Sequence, residues 1–218
     1  PVWRTLGTAP GCAERGEARM ERHRILWRRL DLPGHEASLL SERDGGWELS
    51  GSAVFRHEGQ DCRLDYTIGC DSAWRTRSAR VGGWLGDRSV ALEISVDDHV
   101  RWQLNAVEQP AVAGCLDIDL NFRPSTNLLP IRRLRLREGQ GAAVRAAWLR
   151  FPEVTLEPLE QRYQRLDATT FRYESGDGAF QRDLAVAPSG FVTDYPGFFR
   201  IETETHGMDS SEPAPRPR

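Results

Sequence analysis

At 218 residues, with 39% hydrophobic and 28% charged side chains and a net charge of −3, the chain has the composition of a folded globular protein, not a disordered segment. No apolar run approaches the roughly 20 residues that cross a bilayer as a helix, and the near-neutral balance argues against duplex nucleic acid as a partner. All 29 strong bases are arginine, as a GC-rich gene produces, which removes any mechanism built on a lysine nucleophile.

The first twenty residues are rich in Gly, Ala and Arg without periodicity, and residues 1–23 read as a flexible arm. They hold no apolar core of a secretory leader, so a cytoplasmic location is expected. One domain is expected over residues 24–205, followed by a disordered tail over 206–218 that carries serines and prolines.

A first strand opens at Arg24 and a second covers Ala37 to Glu42, ahead of a turn at Gly45-Gly46. Trp47, Leu49, Gly51, Ala53 and Phe55 then alternate, as do Cys62, Leu64, Tyr66, Ile68 and Cys70, with His57-Glu58-Gly59-Gln60 joining the two as a hairpin. Residues 71–82 read as the next strand, Trp74 and Thr76 on one side and Arg75 and Arg77 on the other. Gly82-Gly83 and Gly86-Asp87 are expected to turn the chain before Val90, Leu92, Ile94 and Val96, and Val100, Trp102 and Leu104 repeat the period of two.

The central stretch, residues 115–134, carries the most distinctive pattern. Leu116, Ile118, Leu120 and Phe122 fall on one face of a strand, and Asp117, Asp119 and Asn121 on the other. That polar face is either solvated, with cross-strand ion pairs, or lines a cavity; alternation has the same period in both cases. Ser125 and Thr126 offer an N-cap for a helix of about two turns, and Leu134 and Leu136 then alternate with Arg133, Arg135 and Arg137. Further short strands follow at Ala143 to Phe151, Val154 to Leu166, Thr170 to Glu174, Phe180 to Val186, Phe191 to Tyr195 and Phe198 to Glu202. The Leu156–Leu166 part also fits helical spacing but is read as strand. Short strands at this rhythm, with Gly, Asp or Pro at nearly every joint, indicate an all-β barrel or sandwich.

Motifs for chemistry are sparse. Cys12, Cys62, Cys70 and Cys115 form no C-x-x-C and read as buried, inert thiols; the five histidines make no metal pair. Asp117 and Asp119, about 7 Å apart on one strand face, are the one candidate acid/base pair of an enzyme. Six tryptophans, Trp27, Trp47, Trp74, Trp84, Trp102 and Trp148, lie on six different elements, and a closed β-structure would bring several of them to shared surfaces, as an apolar cavity with a polar mouth requires. The last of the open readings is a protein-interaction module that uses a sheet edge or the chain ends.

Six motifs in order, Trp74-Arg75-Thr76-Arg77, Asp117-Ile118-Asp119-Leu120, Pro124-Ser125-Thr126-Asn127 with Leu129-Pro130-Ile131-Arg132-Arg133-Leu134, Ala146-Ala147-Trp148, Gln161-Arg162-Tyr163 and Asp194-Tyr195-Pro196-Gly197, give a chain that resembles the bacterial putative glycolipid-binding family over about residues 24–203. Asn121, Arg123 and Leu128 depart from the Gly, Thr and Thr expected there. The resemblance implies a mainly β protein, a large antiparallel sheet of about fifteen strands rolled into a barrel-like spiral β-roll around one short helix, similar in part to periplasmic carriers of lipoproteins. It implies a non-enzymatic partner for an amphiphilic lipid or glycolipid, without cofactor, metal or catalytic residues. The candidate ligand contacts within the motifs are Trp74, Arg75, Arg77, Asp117, Asp119, Asn127, Arg132, Arg133, Trp148, Tyr163 and Tyr195. A base among Arg75, Arg77, Arg132 and Arg133 is expected to pair with Asp117 or Asp119.

Overall fold

The computed structural model describes residues 22–202, and the arm and tail readings lie almost wholly outside them. Eight strands run as an antiparallel meander: β1 (Arg22–Arg29), β2 (Gly34–Arg43), β3 (Gly46–His57), β4 (Gln60–Cys70), β5 (Thr76–Leu85), β6 (Arg88–Val96), β7 (Trp102–Leu104) and β8 (Val107–Glu108). After a central segment holding β9 (Asp117–Asp119) and helix α1 (Leu128–Leu134), a second meander follows: β10 (Gly141–Arg150), β11 (Thr155–Arg165), β12 (Thr170–Ser175), β13 (Phe180–Val186), β14 (Val192–Tyr195) and β15 (Phe199–Ile201). The two meanders are sewn together where β1 pairs with β15, Trp27 opposite Ile201 and Arg29 opposite Phe199. One sheet of 15 strands results, running from β8 through β1 and β15 to β9. It is not closed, because its end strands β8 and β9 do not pair with each other; the barrel-like outline is an open roll. Every described pairing is antiparallel except β9 with β10.

Local chemistry explains the hairpins. Asp44-Gly45 and Glu58-Gly59 both have positive φ at each position, the twist that two-residue hairpin turns need. Gly82 and Gly83 do not turn the chain as expected. They lie inside β5, and a Cβ on Gly83 would come within 2.0 Å of the Arg63 carbonyl oxygen, at a φ of +148°. Only Gly86-Asp87 turns. Residues 71–75 are likewise a turn and not strand: the Asp71 carboxylate accepts the backbone N–H groups of Ala73 and Arg75, and Trp74 takes a positive φ. Asp97 holds His99 and Arg101 in the same way, with Val100 at positive φ. The run Val154 to Leu166 is strand, as read.

The central segment fills the roll. From Phe122 to Ile131 every residue is buried, and Leu128 and Leu129 pack into the larger core, built from β1–β6 and their neighbours, while Ile131 packs into a smaller one with Val144, Tyr163, Phe171 and Leu184. The helix therefore wedges two cores apart. Its entry differs from expectation: a 3-10 turn, Ser125–Asn127, leads into it with no side-chain cap, and the Ser125 hydroxyl instead shares a hydrogen bond with the Tyr66 hydroxyl at 2.8 Å. Its exit differs too, since Leu134 ends the helix and Arg135 reverses the chain at φ +48°, so residues 133–137 do not alternate as a strand. Cys62, Cys70 and Cys115 are buried free thiols, raised by burial to about 11, about 12 and about 11 respectively; Cys12 lies outside the described residues. Among the described residues no helix is long and apolar enough to cross a membrane.

Candidate functional site

The strand expected over 116–122 shortens to β9, and of its expected polar face Asp117 is buried, Asp119 half-buried and Asn121, past the strand end, exposed. Asp117 is 1% exposed. Its carboxylate takes Nε of Arg133 at 2.9 Å and Nη2 at 2.5 Å, a bidentate pair that draws α1 onto β9. Burial raises the Asp117 pKa and the arginine opposes that rise. Asp119, two residues on, accepts the Asn121 N–H at 2.8 Å and Gln161 Nε2 at 2.7 Å, and desolvation raises it as well.

Asp119 stands in the wall of a cavity of about 360 Å³. The second meander supplies the sides: Trp148 on β10, Leu159 on β11, Tyr173 and Ser175 on β12, Phe180 on β13, Tyr195 on β14, and Phe198 and Phe199 at β15. Asn121, Arg123 and Asn127 of the central segment complete the lining. Successive strands reach the same space because their alternate residues face inward. The rings hold one another edge to face, Tyr195 with Phe198 at 5.3 Å, Tyr173 with Tyr195 at 6.2 Å and Tyr173 with Phe180 at 6.0 Å. Burial raises the pKa of Tyr173 and Tyr195, so both hydroxyls stay protonated and can donate to a ligand oxygen. Asn127 is fixed from behind by Tyr163, whose hydroxyl donates to Oδ1 at 2.7 Å.

Of the residues singled out in the sequence, Asp119, Asn127, Trp148 and Tyr195 thus meet around one cavity, with Tyr163 behind Asn127. The others lie elsewhere. Trp74 stacks on Trp47 at 4.4 Å, with the Arg132 guanidinium 4.9 Å from the Trp74 ring centre. Arg75 is exposed, and Arg77 pairs with Asp98. Among the tryptophans, Trp27 and Trp102 are core residues that donate to the carbonyls of Val192 and Cys115, and Trp84 faces outward. The expectation of several tryptophans on shared surfaces holds for Trp47 with Trp74; Trp148 alone of the six lines the cavity.

Sequence reasoning missed the network beneath the cavity floor. Glu36, 1% exposed, accepts the Tyr66 hydroxyl at 2.7 Å and the Ser38 hydroxyl at 3.1 Å. Arg123, 3% exposed, has its guanidinium carbon 3.7 Å from the Tyr66 ring centre and 4.2 Å from that of Phe122, and donates Nη2 to the Leu64 carbonyl at 3.0 Å. Burial raises the Glu36 pKa, with Arg123 opposing it, and lowers that of Arg123 to about 10. The inward parity of Glu36 in β2, shared with Ser38 and Leu40, was the available signal. As for metals, the cavity wall carries one carboxylate, Asp119, already engaged by two donors, fewer oxygen ligands than a hard cation takes.

No curated protein matches the chain by sequence. The crystal structure of a DUF1089 family protein from Pseudomonas aeruginosa superposes with a TM-score of 0.63 at 31% identity, covering 90% of this chain and 99% of that one. The family model described as "Putative glycolipid-binding" matches residues 24–201, and the chain belongs to that family.

Proposed function

We propose that the protein binds an amphiphile, with the apolar part of the ligand against Trp148, Leu159, Phe180, Phe198 and Phe199 and its hydroxyl or ester oxygens against Tyr173, Ser175, Tyr195 and Asn127. The observation that carries this reading is the cavity itself, in which a continuous aromatic wall meets a small set of polar groups, the composition of a small-molecule site. Its volume, about 360 Å³, sits at the low end of the roughly 300–1,000 Å³ of such sites. It suits a sugar or the first part of an acyl chain, and the remainder of a larger lipid would extend through the mouth. Each methylene covered contributes about 0.8 kcal/mol. In this reading the Asp117–Arg133 and Trp74–Arg132 contacts brace the site and do not touch the ligand.

Native mass spectrometry of protein purified without detergent, followed by organic extraction, tests the proposal. A co-purified lipid is expected, and Trp148→Ala should weaken uptake of an alkyl glucoside about tenfold, the equivalent of about 1.4 kcal/mol. Lipid-free protein that takes up no alkyl glucoside and instead hydrolyses an ester or glycoside, with turnover abolished by Asp119→Asn, would replace the binding reading with an enzymatic one.

A further inference from the structure

Arg123 has a chemistry that the packing of the fold does not use up. An arginine keeps its charge at any physiological pH and offers five N–H donors. Here one nitrogen, Nη2, reaches the Leu64 carbonyl, whereas Nε and Nη1 are buried with no acceptor among the described residues. The acid closest in charge interaction, Glu36, makes no ion pair with it; one oxygen of Glu36 is held by Tyr66 and Ser38, and the other, Oε2, is also without a partner. Two ring faces soften the cost of burying the cation, yet an unpaired charge away from water remains expensive. Arg123 is among the residues that line the cavity, buried as Asn127, Tyr173 and Phe199 are, while Asn121, Ser175, Gly176, Phe180 and Phe198 in the same lining reach solvent.

We propose that the ligand enters head first and carries an anionic group, a carboxylate or phosphate, which docks on the free N–H groups of Arg123 while its apolar chain trails along the aromatic wall to the mouth. This deepens the amphiphile reading and rests on it. A planar guanidinium packed against the Tyr66 and Phe122 rings carries its donors in one plane, the arrangement suited to carboxylate and phosphate oxygens. The two oxygens of Asp119, in the same wall, are each engaged by a donor, Asn121 and Gln161, which leaves Arg123 as the one basic side chain in the lining.

The experiment is calorimetric titration of the delipidated full-length chain with probes sharing one tail: decanoate, decyl phosphate and the uncharged decyl glucoside. A hydrogen bond to a charged group contributes about 1.5–3 kcal/mol, so the better anionic probe should bind about tenfold tighter, or more, than the glucoside. Arg123→Met should collapse that ratio toward one, and Arg123→Lys should restore part of it. Should the methionine variant fail to fold, the wild-type ratio and the lysine variant still decide. Glucoside binding as tightly as both anions overturns the proposal and leaves the amphiphile reading standing; no binding by any probe overturns both. Acetate or inorganic phosphate binding as tightly as the decyl anions also overturns it, by assigning Arg123 to a free ion. A ratio that survives in folded Arg123→Met does the same.

Discussion

Asp117 has almost no water around it, and the two bonds from Arg133 are its compensation. Removing one partner of such a pair leaves a stranded charge, so Arg133→Ala should cost about 3–5 kcal/mol in urea unfolding, whereas an exposed pair would cost about 0–1. A loss in the lower range would show that the pair does not brace the helix. Glu36 gives a second test through pH. Burial holds its pKa above the ordinary value of 4.5, so its contribution to stability is full below pH 4.5 and is lost as pH rises through the folded value. Glu36→Gln removes that loss. Its stability relative to wild type should therefore climb from pH 4.5 toward neutrality, and a difference that falls over that range would contradict the assignment. The pairing of an acid at 117 or 119 with a base was readable from strand alternation and the adjacent arginines. Glu36 and Arg123 were not, because a lone charge in strand β2, and another in the irregular segment after β9, read as solvated until the fold shows which way each faces.

At the scale of elements, the strands were legible because apolar residues recur with period two; the turns were partly so. The Glu58-Gly59 hairpin announced itself and Gly45 marked the first turn, although that turn is Asp44-Gly45 and Gly46 already opens β3; Gly82-Gly83 looked like a turn and is a place where two backbones touch. Gly83→Ala should destabilise the fold by at least the 1–3 kcal/mol or so of a strained backbone, plus the clash with Arg63, as read by thermal unfolding. A neutral result would mean that β4 and β5 are not this close. The turn at Asp71 was hidden because the Asp71 carboxylate supplements its backbone hydrogen bonds with two more and its fourth residue is an apolar tryptophan at positive φ, which propensity disfavours. What repays that conformation is the stack on Trp47 beneath Arg132. Trp74→Ala should cost about 3–5 kcal/mol, the range of buried aromatic truncations, with loss of the near-ultraviolet signal of the paired indoles.

In the whole molecule, most strand pairings join neighbours in sequence, and one seam, β1 with β15, joins the two ends of the described chain. Local hairpins close before distant strands meet, since loop closure must be met first. Phe199→Leu, in the seam, should then speed unfolding and leave the folding rate nearly unchanged, a φ-value near zero in stopped-flow refolding; a value near one would place the seam in the nucleus. Sequence alone could not foresee the seam, because nothing local in Trp27 or Ile201 names its partner. The same layout bears on self-association. A sheet that does not close has two edges, each able to recruit a strand from another molecule and begin an aggregate. One edge here, β9, is folded inward, where the Leu116 carbonyl takes the Thr76 N–H at 2.9 Å and the Ile118 N–H reaches the Thr76 hydroxyl at 3.1 Å. The other, β8, is two residues long, one of them the charged Glu108. So long an open sheet thus limits its templating surface without joining its ends, by hiding one end strand, cutting the other to two residues, and leaving the part of β6 that β7 does not reach bounded by the charged Arg88 and Glu93.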